Sequence, residues 1–249
     1  MTEAPVATRG AAHFTLQGKG GVGKSLIAAI LAQYFASKGE TPTCIDTDPV
    51  NQSLLSYRAL KAVHLAVRAK DSSRVDERRF DYLVKQILAD NGPFVVDNGA
   101  STFIPLSNYL LENNAMELLR EASREVFIHV VVTGGQALLE TLEGFRALAQ
   151  ASTSPNIIVW LNEFFGPVQH EDRNFTEMRV FRENESKVRG IVLIPRRNPD
   201  TFMADMLEMT TRKLTFAEVL DDPKWELMAR QRIRIIQRDL FEQLDHLDL

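Results

Sequence analysis

One eight-residue run, Gly18-Lys19-Gly20-Gly21-Val22-Gly23-Lys24-Ser25, constrains the fold of this chain more than any other feature. It fits the pattern G-x-x-x-x-G-K-[ST]. An apolar strand at residues 13–17 precedes it. A helix at 25–38 follows, with Leu26, Ile27, Ile30, Leu31, Tyr34 and Phe35 at helical spacing and Gly39 ending it. The chemistry accounts for each residue type. Glycines let backbone N–H groups turn inward toward phosphate oxygens with no Cβ in the way. The helix start adds its positive dipole end. Lys24 brings a point charge to the β- and γ-phosphates, and the Ser25 hydroxyl is a ligand for magnesium. With glycine at about 7% of residues, a chance match in a chain of this length has odds on the order of one percent. The expectation is ATP with Mg2+, held by Gly20, Gly21, Val22, Gly23, Lys24 and Ser25.

The rest of the chain repeats the strand-helix alternation. Apolar strands are expected at Thr43–Asp46, Phe94–Asp97, Val126–Thr133, 156–162 and 190–194. Helices are expected around Phe80, Leu83, Val84, Ile87 and Leu88, at 136–149, and as a closing helix at 223–247. This pattern predicts an α/β fold, a doubly wound and mostly parallel sheet with helices on both faces. Residues 1–11 lack the apolar core of an export signal and read as a flexible lead-in. Residues 12–249 read as one phosphate-loop domain, with an insertion at about 163–187. There Phe175, Met178 and Phe181 are spaced to pack a helical segment on the body. Cys44 is the one cysteine, so no internal disulfide can form, which fits a reducing cytoplasm. No apolar run approaches the roughly 20 residues of a membrane span.

Acids stand where strands end. Asp46-Thr47-Asp48-Pro49 leaves the second strand, and Asp97 closes Phe94-Val95-Val96 with Gly99 just beyond. Ligand groups in doubly wound sheets gather at such carboxyl ends. Asp97 is placed to meet magnesium through water. Both acids of the first pair also suit turns and helix caps.

With Lys19 added, Lys-Gly-Gly-Val-Gly-Lys-Ser is the deviant Walker A loop, and the chain resembles the ParA/MinD/nitrogenase-iron-protein superfamily. That resemblance implies roles. Lys19 would reach across a dimer interface to a partner's nucleotide. Asp46 would hold the magnesium hydration shell and Asp48 would orient the attacking water. Asn162 would recognise the adenine edge, since an amide donates and accepts at once. Pro195 would pass beside the base, with Arg196 able to stack on it and Arg197 exposed. Further segments are similar to conjugal-transfer proteins of broad-host-range plasmids: Asp97-Asn98-Gly99-Ala100-Ser101, Thr133-Gly134-Gly135-Gln136-Ala137-Leu138, Trp160-Leu161-Asn162 and Leu214-Thr215-Phe216. Here the resemblance implies a slow, partner-stimulated ATPase that forms an ATP-dependent homodimer and assists conjugative transfer. Plasmid partition or StbB-type stability, or a nucleotide-binding adaptor without turnover, are the alternatives.

Two features depart from ParA proper. Val50 and Asn51 follow Pro49 where D-x-D-P-Q-x-N is usual, and no helix-turn-helix precedes the loop. The acidic end, Asp245 to Leu249, argues against a basic membrane anchor. Net charge is −4, so any DNA contact needs a local patch. Arg230, Arg234 and Arg238 recur every four residues and supply the candidate for non-specific DNA. A single cysteine argues against an iron–sulfur scaffold, and Lys19 argues against a ligase of the same fold.

Overall fold

The computed structural model describes residues 9–69, 74–152, 154 and 156–249. Residues 1–8 of the expected lead-in lie outside the described residues. Residues 9–11 are fastened rather than loose. The Arg9 guanidinium donates to Leu88 O, and Gly10 N–H donates to Asn91 O. Arg124, fully buried, donates to the carbonyls of Gly10, Asp90 and Gly92. Its guanidinium gathers three loop carbonyls onto one buried donor.

Nine strands and nine α-helices occur among the described residues. They run β1 Ala12–Leu16, α1 Lys24–Ser37, β2 Thr43–Asp46, β3 Val63–His64, α2 Arg79–Ala89, β4 Phe94–Asp97, α3 Phe103–Glu112, α4 Ala115–Glu121 and β5 Val126–Thr133. There follow α5 Leu138–Ala151, β6 Ile157–Asn162, β7 Gln169–His170, β8 Arg173–Asn174, α6 Arg179–Arg182, β9 Val188–Ile194, α7 Ala204–Thr211, α8 Phe216–Asp221 and α9 Leu227–Asp245. Seven strands make one sheet in the order β3-β2-β4-β1-β5-β6-β9. Every pairing in it is parallel. The expected doubly wound α/β architecture is therefore observed.

Side-chain alternation sorts the strands between two cores, because both faces of a parallel sheet are covered. Phe14, Leu16, Phe94, Val96, Val130 and Val132 face α2, α3, α4 and α5. Cys44, Val95, Phe127, Val131, Ile158 and Trp160 face α1, α8 and α9. Burial pushes the Cys44 thiol up to about 12, so it stays protonated at neutral pH. A polar row crosses this second core. Trp160 Nε1–H donates to His129 Nδ1 at 2.9 Å, which puts the His129 proton on Nε2, 2.9 Å from His13 Nδ1. The His13 proton is then on Nε2, which has no partner.

Residues 163–187 differ from a helical insertion. They form a turn at Glu163–Phe165, the antiparallel hairpin β7–β8, and only the four-residue α6. Gly166, at φ 133°, and Pro167 end the first turn, and the capping box of Asn174 with Glu177 starts a new one. Phe175, Met178 and Phe181 are buried in the first core. The closing helix begins at Leu227 rather than 223, because Glu226 is extended (ψ 143°).

Candidate phosphate-binding site

Residues 18–25 leave the C-terminal end of β1 at the middle of the sheet and enter α1. Gly23 holds φ 111°, a value an L side chain resists, so the loop turns there into the first helical residue, Lys24. Gly20 to Ser25 all line one cavity of about 610 Å³, together with Asp48, Asn98, Asn162 and Thr210. Gln17, only 1% exposed, carries the start of the loop. Its Oε1 accepts the Gly18 N–H at 2.9 Å, while its Nε2 donates to Val131 O (2.8 Å) and Thr141 O (3.1 Å).

The Lys24 ammonium donates to Lys19 O at 2.8 Å. Burial lowers its pKa, and the carboxylates of Asp97 and Asp48 push it back up. Those two acids thus favour the charged lysine that a phosphate needs. Asp97 is 2% exposed, and burial raises it to about 6; the nearby Ser25 hydroxyl and the Thr15 hydroxyl, which donates at 3.0 Å, oppose the rise. A buried carboxylate with the hydroxyls of Thr15 and Ser25 beside it is an all-oxygen donor set. It fits a hard cation such as Mg2+.

Asp48 is seated by its own loop. Its Oδ1 accepts the N–H groups of Val50 (2.8 Å) and Asn51 (3.1 Å). Its carboxyl lies so close to Gly99 that a Cβ there would stand 2.5 Å from Asp48 Cγ. Asp46 is placed differently from a metal-facing acid. It is fully buried, Oδ1 accepts Asp48 N–H (2.9 Å), and Oδ2 accepts Leu54 N–H (3.0 Å) and Leu55 N–H (3.4 Å). Burial raises its pKa, and these backbone donors oppose the rise. Asp46 therefore shapes the segment that presents Asp48.

Three other sequence-derived residues are also committed locally. Lys19 forms a 2.7 Å ion pair with Glu140 at the start of α5. Asn162 donates from Nδ2 to Val22 O (2.9 Å) and accepts Phe164 N–H (3.2 Å), clipping the end of β6 to the phosphate loop. Pro195 is absent from the phosphate-loop cavity. It lines a neighbouring apolar cavity of about 250 Å³ with Phe202, Met203, Ile236 and Leu240, and the two cavities share Phe164, Ile194 and Met206. Arg196 is exposed. Arg197, expected to be exposed, is half-buried instead; it pairs with Asp239 at 2.5 Å and lies 5.1 Å from the Phe202 ring centre. In the α9 stripe, Arg238 pairs with Asp239 (2.8 Å) and Glu242 (3.7 Å). The Nε of Arg230 is buried, and Arg234 donates to Gln231. The stripe is thus less free than its spacing suggests.

Sequence reasoning does not single out Gln17, Tyr57, Thr210 or Lys213. Gln17 carries a signal in hindsight, a polar residue at the buried end of a central strand. The other three reach the cavity through tertiary packing alone.

A strand-loop-helix phosphate cradle at the centre of a parallel sheet, with acids ending the next two strands on one side of it, β4 and β2, defines a class of nucleotide-binding proteins. The model of the CobQ/CobB/MinD/ParA nucleotide binding domain matches residues 14–205, and the chain belongs to that family. Two Escherichia coli relatives, each called Protein TraL, are 47% identical over 234 residues and 44% identical over 235. The first alignment covers 94% of this chain and 96% of the relative, the second 94% and 97%. The MinD cell division protein of Aquifex aeolicus has the same fold at 17% identity and TM-score 0.53, covering 93% of this chain and 97% of that one. A chain of the Aquifex aeolicus MinC:MinD cell division protein complex matches at TM-score 0.55 and 16% identity, over 93% and 96%. Among the described residues no helix is long and apolar enough to cross a membrane.

Proposed function

We propose that the chain is an ATP-dependent switch that binds MgATP, hydrolyses it slowly and assists plasmid conjugative transfer. The observation that carries this reading is the convergence of Gly20–Ser25, Asp48 and Asn98 on one cavity large enough for a nucleotide. Lys24 would exchange its bond to Lys19 O for phosphate oxygens. Ser25 and Asp97 would hold the Mg2+, which neutralises phosphate charge when bound. Asp48, held by Val50 and Asn51, would orient the attacking water, with Asp46 positioning that segment. Asn162 would act by shaping the loop through Val22, and its amide would reach adenine only by leaving that bond. The similarity to the TraL proteins supports a conjugation- or partition-related role, and the segments that resemble conjugal-transfer proteins favour transfer within it.

In this reading Lys19 crosses to a second copy in an ATP-dependent homodimer, and must first leave Glu140. The same ion pair favours a second reading, a nucleotide-binding adaptor without turnover, because it commits the lysine within its own chain. One set of measurements separates these. Calorimetry with MgATP should show binding by the native protein and none by Lys24→Ala. Steady-state turnover should be slow in the native protein and much slower in Asp48→Ala. Wild-type affinity retained by Lys24→Ala removes the phosphate-loop assignment. Binding without turnover in the native protein selects the adaptor.

A further inference from the structure

Lys213 stands on the wall of the phosphate-loop cavity, far from that loop in sequence. It follows α7 in the left-handed region, φ 56°. Its N–H donates to Thr210 O, and the next N–H, of Leu214, donates to Met209 O. That is the closing turn of a helix, where glycine or asparagine is the usual occupant because a Cβ is strained there. Seven non-glycine residues have positive φ among the described residues. Lys213 is the one among them that lines this cavity. Strain kept at a site wall points to a use for the side chain.

The side chain is aimed. Lys213 Nζ lies 5.4 Å from the Tyr57 ring centre. Tyr57 is 2% exposed and lines the same cavity, just beyond the segment that carries Asp48. An aromatic face fixes an ammonium in place without cancelling its charge. Lys19 presents the contrast. Its charge is matched by Glu140 at 2.7 Å. No carboxylate lies within ion-pair distance of Lys213 among the described residues. A magnesium-bound triphosphate keeps net negative charge after Lys24 has met it. The cavity then offers a second, uncompensated cation from the opposite end of the chain.

We propose that Lys213 is a nucleotide-binding residue, a phosphate-directed cation held by Tyr57 that supplements Lys24 within one protomer. The proposal rests on the MgATP reading of the cavity. Titration calorimetry of the full chain with MgATP and MgADP, at low and high salt, tests it. Three variants are compared: Lys213→Asn, which suits the left-handed backbone and removes the charge; Lys213→Arg, which keeps it; and Lys24→Ala. The expected result is about tenfold weaker MgATP binding by Lys213→Asn, the loss of one charge-assisted contact. That deficit should shrink at high salt, and Lys213→Arg should recover most of the affinity. The melting temperature of the ligand-free Lys213→Asn protein should equal or exceed that of the native protein, since the strained position is relieved. This separates lost binding from lost folding. Native affinity in Lys213→Asn alongside lost affinity in Lys24→Ala overturns the role of Lys213 and leaves the nucleotide reading standing. No MgATP binding by the native protein overturns both.

Discussion

Gly144 lies inside α5, where replacing glycine by alanine ordinarily stabilises a helix by about 1 kcal/mol. Here the sign should reverse. A Cβ on Gly144 would stand 2.7 Å from Gln17 Cδ and 2.8 Å from its Nε2, and nearer still to its Oε1. A flexible amide on the surface would swing aside. Gln17 is 1% exposed and tied by three hydrogen bonds, to Gly18, Val131 and Thr141. Moving it forfeits roughly 3 kcal/mol at about 1 kcal/mol per bond. Set against the helix gain, Gly144→Ala should destabilise by about 2 kcal/mol. In a Gln17→Ala background the obstacle is gone, and the same change should be neutral or stabilise by about 1 kcal/mol. The coupling between the two sites is then about 3 kcal/mol. Urea unfolding of the four proteins of the cycle, analysed at constant m, measures it. Equal stabilisation by Gly144→Ala in both backgrounds would refute the reasoning. MgATP affinity gives a second readout, because Gln17 carries the first N–H of the phosphate loop.

The buried histidines give a pH dependence. Burial pushes His13 from 6.5 down to about 3 and His129 well below its usual value. Between those limits the unfolded chain binds protons that the folded chain refuses, so each histidine removes about 1.4 kcal/mol of stability per unit of falling pH. Asp97 and Asp46, raised on folding, pull the other way, so the test is a difference. Urea midpoints of His13→Leu should gain on the native protein steadily from about pH 6 to pH 4, and parallel curves would sink the claim. Arg124→Met keeps the buried bulk and strips three carbonyls of their donor. It should cost about 3–5 kcal/mol in the same assay, and a loss under about 1 kcal/mol would mean the carbonyls find other partners.

The central elements were legible because each announces itself locally. β2, β4 and β5 have the bounds that apolar runs ending in Asp46, Asp97 and Thr133 suggest. The phosphate loop reads directly from its glycines. β3, two residues long, owes its existence to pairing with β2 and has no pattern of its own. α3 is obscured by Ile104 and Leu111, which are exposed, so its burial does not follow a clean stripe. At the site, residue types at strand ends indicated Asp48 and Asp97, while the commitments of those side chains were hidden. That Asp46 is consumed by three backbone donors, or that Glu140 holds Lys19, depends on chain segments brought together only by the fold.

The strand order also bears on how the chain is made. β1 is synthesised before the other six strands of this sheet, yet it occupies the interior. Its neighbours are β4, through Ala12↔Phe94, and β5, through Ala12↔Val126. At synthesis rates of about 5–20 residues per second, β1 waits on the order of ten seconds for its second edge to be covered. Throughout that interval Ala-His-Phe-Thr-Leu is an apolar strand with open backbone on at least one side. Such long-range pairing also slows folding once the chain is complete. Nascent chains stalled before Val126 should therefore be the species that chaperones hold and that aggregate most readily.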